Sequence, residues 1–533
     1  MPEISQPTQK LIQKYQDWQK SLEPKEEATI HVDEVASAVA VFYEKIRGVV
    51  DWKEEHLLRR AAIERALKRR LFLQKTGDEI AEPFVLELIR GGHFPNDRIE
   101  ETKIDQVKAA LNKYLFLLNS TPADTDKSKL RLNYWLVSIA SCEIEEILAP
   151  PIREKALIEY MAELMSERIE VSQRKAFYRP LSPEEKNTQI YIAVQRALFK
   201  LDAPIISYYL LQKKYPGWKN LEQPKLKEIS DNIYSIRRQE IEKELKHPLS
   251  EKFYRICERQ DTAFLILGDV ISEAPLEASR NLANPPFLEN SIRNFYKARL
   301  QKVKKRVGKA ALFSTISIFI TKILVALALE IPFDKYVLGH FDYQTMGLNV
   351  IIPPLLMFFL ILTIRPPRKE NLERVIMEVM KIVHKTDRKD VYSIKAPRKR
   401  RIIMQTVVAA FYSLTFLLSF GVIILVLQKL NFGILSMLIF LMFFSLIIFA
   451  GVKIRERAKE LDMEEEKAGF LSFFIDSFSL PFLRLGRWLS RQWAKYNVVL
   501  LLITAFIDMP FQVFTEFLEH WRTFLKQKKE EIH

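Results

Sequence analysis

Four apolar runs, grouped in two closely spaced pairs between residues 310 and 452, constrain this chain more than any other feature. Met346–Ile364, Ile402–Leu427 and Leu430–Val452 contain no Asp, Glu, Lys, Arg or His, and Ala310–Leu329 is interrupted only by Lys322. Each is long enough to cross about 30 Å of hydrocarbon as a helix. The chain therefore reads as an integral membrane protein. Its mean hydropathy of −0.06 averages two unlike halves, one rich in charge and one rich in Leu, Ile and Phe.

The basic residues set an expected orientation. Lys297, Arg299, Lys302, Lys304, Lys305, Arg306 and Lys309 directly precede the first run, with no acid among them. Between the second and third runs, 365–401 carries thirteen Lys or Arg against five acids, and it ends on the cluster Arg398, Lys399, Arg400 and Arg401. By contrast, 333–345 has one Lys and two Asp, and the turn after the third run has only Lys429. Short loops rich in Lys and Arg stay on the cytoplasmic side. The expectation is a multi-pass protein of the plasma or inner membrane with both termini cytoplasmic. The polar opening Met1–Pro24 is not a secretory signal, so the long N-terminal half is expected to stay in the cytoplasm.

That half reads as helical almost throughout. Apolar residues recur at helical spacing over 35–73, and further helical stretches cover 99–118, 129–148, 151–171, 183–200, 226–245 and 251–272. Ser182-Pro183-Glu184-Glu185 is a helix-start signal with Pro in the first turn. No segment alternates with period two, so no sheet is expected. The fold class is all-α, a large cytoplasmic helical domain followed by a polytopic helical bundle. The expected division is a domain over 1–296, a basic juxtamembrane segment over 297–309, hairpins over 310–364 and 402–452 separated by the basic loop 365–401, and a C-terminal part over 453–533. In that last part, 470–485 and 497–518 are apolar but carry Asp476, Pro481, Asp508, Pro510 and Glu516. Two further spans would place Arg484, Arg487, Arg491 and Lys495 outside, against the charge rule. Two interfacial or re-entrant helices are the preferred reading.

No chemistry-bearing motif emerges. Gly91-Gly92 lacks the Lys and Ser/Thr of a phosphate-binding loop and reads as a helix-ending turn. None of the eight histidines sits one helical turn from another His or from a Cys, and the two cysteines, Cys142 and Cys257, are far apart. No catalytic, cofactor-binding or metal-ligating residue is therefore expected. The basic run Arg59-Arg60, Arg65, Lys68-Arg69-Arg70 reads first as a solvated helix face, and nucleic acid is not needed to account for the net charge of +15. The clusters at 297–309 and 398–401 are candidate contacts for anionic lipid headgroups.

Lys322 stands near the middle of the first span, where a Lys costs roughly 2.5–3.5 kcal/mol. Glu330, eight residues on, looks too far along a regular helix for a direct pair, so Asp476 and Asp508 are the expected partners. Pro353-Pro354 is expected to kink or break the second span. Three classes of function remain open. They are a membrane-anchored scaffold or adaptor binding a protein partner or itself, a transporter or channel component using Lys322, and a lipid-acting enzyme at the cytoplasmic face. The scaffold fits best, because long soluble helices dominate and no catalytic set is present.

Overall fold

The computed structural model describes residues 3–23, 28–32, 55–73, 77–121, 126–172, 181–338, 343–364, 367, 369–384, 390–395, 402–463 and 470–495, with single positions at 517, 521, 524 and 528. Helix dominates, and four of the helices are long and apolar enough to cross a membrane. Among the described residues, the paired strands form a two-stranded parallel ribbon, β1 (Ile169–Ser172) on β2 (Tyr392–Lys395), with Ile169 opposite Tyr392. At four residues each, these strands are too short to show the alternation by which a strand announces itself.

The first core is built from α2 (Glu55–Leu73), α3 (Gly77–Arg90), α4 (Thr102–Ser120), α5 (Asp126–Leu148), α8 (Ala203–Lys214) and α9 (Gln223–Ser235). Helix α3 ends as expected at the glycine pair, with Gly92 in the left-handed region at φ 71°. The His93 N–H closes the turn on the Leu88 carbonyl at 3.1 Å. Phe84, Ile63, Leu67, Leu136 and Tyr208 are fully enclosed. The basic run on α2 is neither bare nor solvated. Glu64, Glu87 and Asp202 pair with it, Arg60 to Asp202 at 2.5 Å and Arg70 to Glu87 at 2.8 Å.

The second core collects α1 (Gln6–Lys20), α6 (Ile152–Arg168), α7 (Pro183–Phe199), α10 (Ser250–Glu273) and α11 (Ala278–Leu282) with the start of α12 (Pro285–Val325). Helix α7 opens with the full capping box. Ser182 Oγ accepts from the Glu185 N–H at 3.1 Å, and the Glu185 carboxylate accepts from the Ser182 N–H at 3.0 Å.

The segment between the two hairpins is more than a basic loop. It holds α14 (Lys369–Val383), whose Val375, Ile376, Val379, Ile382 and Val383 are buried in the second core, and β2, which adds Ile394. Glu378 of α14 accepts a hydrogen bond from Arg168 of α6 at 2.6 Å, with both side chains buried. Asn371 donates to Tyr296 Oη at 3.0 Å and to the Leu461 carbonyl at 2.6 Å, and it accepts from the Met463 N–H at 2.9 Å. One amide thus ties α12, the inter-hairpin helix and the chain leaving the fourth span.

Helix α12 runs on through wide turns at Ala326–Glu330 and Asp334–Leu338. The whole 53-residue stretch Pro285–Val337 is about 80 Å long at 1.5 Å per residue. Its beginning is buried at Leu288, Ile292 and Tyr296 in the second core, while Leu312, Phe313, Ile320 and Leu324 expose apolar surface further along. The other candidate spans are α13 (Tyr343–Leu362), α15 (Ile402–Lys429) and α16 (Ile434–Ala458). Helix α13 runs as one helix through Pro353-Pro354, although each proline withholds an N–H and crowds the carbonyl four residues back with its ring. Gly451 of α16 leaves no room for a Cβ beside Leu360 of α13, so the two helices touch closely there.

The last helix, α17 (Phe470–Lys495), is ten residues longer than the expected apolar segment and packs on α15 and α16. Phe482 is wholly enclosed, 4.5 Å from the Phe420 ring and 4.8 Å from the Phe444 ring. Gly486 abuts the Ser445 carbonyl. Helix α17 thus buries Phe482 against other helices while Phe474, Phe478, Leu480 and Trp488 stay exposed, as do Arg484, Arg487 and Arg491. The expected helix at 497–518 lies outside the described residues.

Candidate functional site

Helices α12, α13 and α16 pack against one another and enclose a polar cluster. Lys322 is completely buried, and its ammonium reaches the Glu330 carboxylate at 2.5 Å. The pair excluded on helical spacing therefore exists. In a regular helix, position i+8 lies about 80° around the axis from i. The wide turn Ala326–Glu330 absorbs one residue, so Glu330 behaves like i+7 and returns to within about 20° of the face of Lys322.

The carboxylate has further partners from two other helices. Asn349 Nδ2 of α13 and Ser436 Oγ of α16 both donate to Glu330 Oε2, the latter at 3.3 Å. The Lys322 ammonium also lies 5.5 Å from the centre of the Phe443 ring. Glu330, Asn349 and Ser436 are all buried. Asn349 Oδ1 has no hydrogen-bond partner among the described residues. Glu330 directly follows the first apolar run, Ser436 is the third residue of α16 and Asn349 the seventh of α13. The cluster thus lies toward the end of the bundle opposite the soluble cores.

The other candidates fall elsewhere. Asp476, an expected partner of Lys322, is exposed on α17 and takes no part in the cluster. Asp508 and the cluster Arg398, Lys399, Arg400 and Arg401 lie outside the described residues. Lys297, Lys302, Lys304, Lys305, Arg306 and Lys309 are exposed along α12. Arg299 is held instead by Asp269 of α10, with Nη2 to Oδ1 at 2.9 Å, so it serves the second core. Val307 packs with Ile364 and Ile454 at the soluble end of the bundle, and the exposed lysines of α12 flank that level.

Asn349 and Ser436 were missed by sequence reasoning, and Glu330 was considered but set aside on its spacing. Their signal was present as one acid at the border of a run and an Asn inside another. Spacing alone gives no warning of a wide turn.

A second buried Lys–Glu pair, in the first core, provides a standard for comparison. Lys113 meets both Glu143 oxygens at 2.6 and 2.8 Å and donates to the Trp218 carbonyl at 2.8 Å. Tyr114 Oη donates to Glu143 at 2.8 Å and accepts from Trp218 Nε1 at 3.1 Å. Burial lowers the Lys113 pKa against the raising effect of Glu143. All three ammonium donors have an acceptor, so the network is closed and structural. The Lys322 ammonium has one carboxylate oxygen and a ring face, and its neighbour Asn349 keeps a free acceptor.

Among the described residues there is no cluster of three or more His, Cys, Asp or Glu able to hold a metal ion. Both cysteines are buried and unbonded to each other. Fold and site together define a helical protein with four candidate membrane spans and a buried charge pair inside them. Comparison with protein-family models, with curated proteins and with solved structures gives no match.

Proposed function

We propose that this protein is a membrane-anchored scaffold, in which a helical bundle holds a large helical body at the cytoplasmic surface and presents it to a protein partner. The observation that carries this reading is the Asn371 joint. Three separate stretches of chain next to the spans meet in one soluble core, and α12 extends from that core into the bundle without interruption. Such a joint holds the body at a set height and angle, which a partner-presenting platform requires and a tethered enzyme does not. The second core is consumed by this attachment, so the first core offers the surface for a partner or a second copy.

The same reading places the protein in the plasma or inner membrane with both termini cytoplasmic. In support, the soluble helices gather at one end of the bundle, where the exposed Lys302, Lys304, Lys305 and Lys309 of α12 also lie. Each basic side chain beside an anionic leaflet contributes about 1 kcal/mol of attraction, so acidic headgroups are the lipid partners.

Light cross-linking in the native membrane, affinity capture of the full chain and mass spectrometry test the proposal. The expected result is a stoichiometric partner, or a second copy, cross-linked to residues 55–148 or 203–245. Capture without any cross-link to the soluble body contradicts it. The transporter reading has one observation in its favour, the incompletely satisfied charge pair inside the bundle.

A further inference from the structure

We infer that Arg484, Arg487 and Arg491 of α17 form a binding site for the phosphate of an anionic phospholipid, taken from the leaflet beside the soluble cores. The inference rests on the membrane placement above and not on the scaffold role.

Helix α17 is divided along its length. Phe474, Phe478 and Leu480 are exposed in its first half, and Arg484, Arg487, Trp488 and Arg491 in its second. The three arginines fall within about 60° of one another around the axis and cover about 10 Å along it. Leu480 and Phe474 lie within about 80° of Arg484 on the same side, and Trp488 within about 40°. Asp476, the single acid of this helix, stands eight residues before Arg484, about 12 Å away along the axis.

The contacts of α17 give its direction in the bundle. Ser419 Oγ donates to the Phe478 carbonyl at 2.9 Å, and the Arg484 guanidinium lies 4.1 Å from the centre of the Tyr412 ring. On the other flank the Phe482 ring meets Phe444, and Gly486 abuts Ser445 and Phe449. From Phe478 onward, its neighbours on α15 therefore run back toward Ile402, and those on α16 run on toward Ala458. Ile402 follows β2 and Ala458 precedes Leu461, both parts of the second core. The apolar half of α17 thus lies deeper in the bundle, and the arginines lie on the side of the soluble cores. The acyl chains and phosphate of a phospholipid in that leaflet have the same order.

Charge complementarity selects the occupant. Among the described residues no carboxylate pairs with Arg484, Arg487 or Arg491, and Arg484 has only the ring face of Tyr412. Tyr412 is ten residues into α15, about 15 Å from its start, and Leu414, Phe416, Leu417 and Leu418 expose apolar surface just beyond it. A cation at that level is costly without a counter-ion. The bilayer itself carries one, and the planar guanidinium fork matches two phosphate oxygens.

The test places the full-length protein in phosphatidylcholine nanodiscs with a trace of phosphatidylglycerol bearing a photoreactive headgroup. Labelled peptides are mapped by mass spectrometry, and all variants are compared at equal incorporation and Tm. Labelling is expected within 470–495. Unlabelled phosphatidylglycerol should compete for it, and inorganic phosphate should not. Arg487→Gln, at an exposed position, should weaken that competition about fivefold, and replacing all three arginines by Gln about a hundredfold. Labelling confined to the lysines of α12 would leave the membrane placement standing and overturn this inference. Labelling of 470–495 that persists in the triple variant also overturns it, as does an acidic protein segment cross-linked to α17 in the native membrane.

Discussion

The two soluble cores are alike in composition and unlike in how the chain supplies them. The first takes its buried residues from 30–148, Ile192 and 205–241, with no candidate membrane span between them. The second draws on five, around residues 11–15, 156–198, 249–303, 375–394 and 461. The last two are separated from the others by candidate membrane spans. A core of the first kind can complete itself without the bundle, whereas one of the second kind closes only when the spans have returned the chain to the same side. Autonomy and attachment are thus divided between adjoining bodies, which meet at Tyr191 and Leu201.

The sharpest way to break this contrast is to cut the chain. A fragment of residues 1–295 lacks Val375, Ile376, Val379, Ile382, Val383, Ile394 and Leu461, all buried in the second core. At about 1.5–3 kcal/mol each, their loss exceeds the total stability of many domains. The fragment should stay soluble and helical by circular dichroism. Hydrogen exchange should show α4 and α5 protected as in the full chain, while α6, α7 and α10 exchange faster. Equal protection in both halves would show that the second core does not need the bundle.

Next in size is the closed pair of the first core. Lys113→Met leaves the Glu143 carboxylate buried with only Tyr114 as a donor, at a cost of about 3–5 kcal/mol. The double variant Lys113→Met/Glu143→Leu should recover part of that loss. Lys322→Leu in the bundle should cost less, because Glu330 keeps Asn349 and Ser436 as donors. Thermal unfolding of both series ranks them, and Asp476→Asn should show no coupling to Lys322→Leu.

Asn371→Leu removes three hydrogen bonds from the joint, and unmet buried groups cost about 1–3 kcal/mol each before relaxation. Limited proteolysis should then cut near residues 461–463 without affecting the first core. The smallest effect depends on pH. Asp261, buried on α10, has its pKa raised to about 7, chiefly by burial and partly offset by Lys200. A carboxylate raised in the folded state favours folding at low pH and loses that contribution as pH rises from about 4 through 7. Asp261→Asn should therefore be more stable than the unaltered protein at pH 8.5, with the advantage shrinking at pH 5.5. An advantage independent of pH would mean that Asp261 does not titrate in this window.

The spans and the helical class were legible because run length and apolar spacing are properties of the chain read in one dimension. The capping box at Ser182 and the turn at Gly91-Gly92 were legible for the same reason, being local. Two things were hidden. The pairing of Lys322 with Glu330 depends on a wide turn that no residue in Ala326–Glu330 announces. The role of α14 was masked by its charge: Leu372, Val375, Ile376, Val379, Ile382 and Val383 form a helical stripe, yet thirteen basic residues in the surrounding segment made it read as a loop.

The central claim is that soluble body and bundle form one rigid piece. Spin labels at Met377→Cys on α14 and Ile320→Cys on α12, both exposed positions, measure it directly once Cys142 and Cys257 are replaced. Double electron–electron resonance in nanodiscs should give one narrow distance distribution that broadens in Asn371→Leu. A distribution already broad in the parent protein, and unchanged by that substitution, would contradict the account.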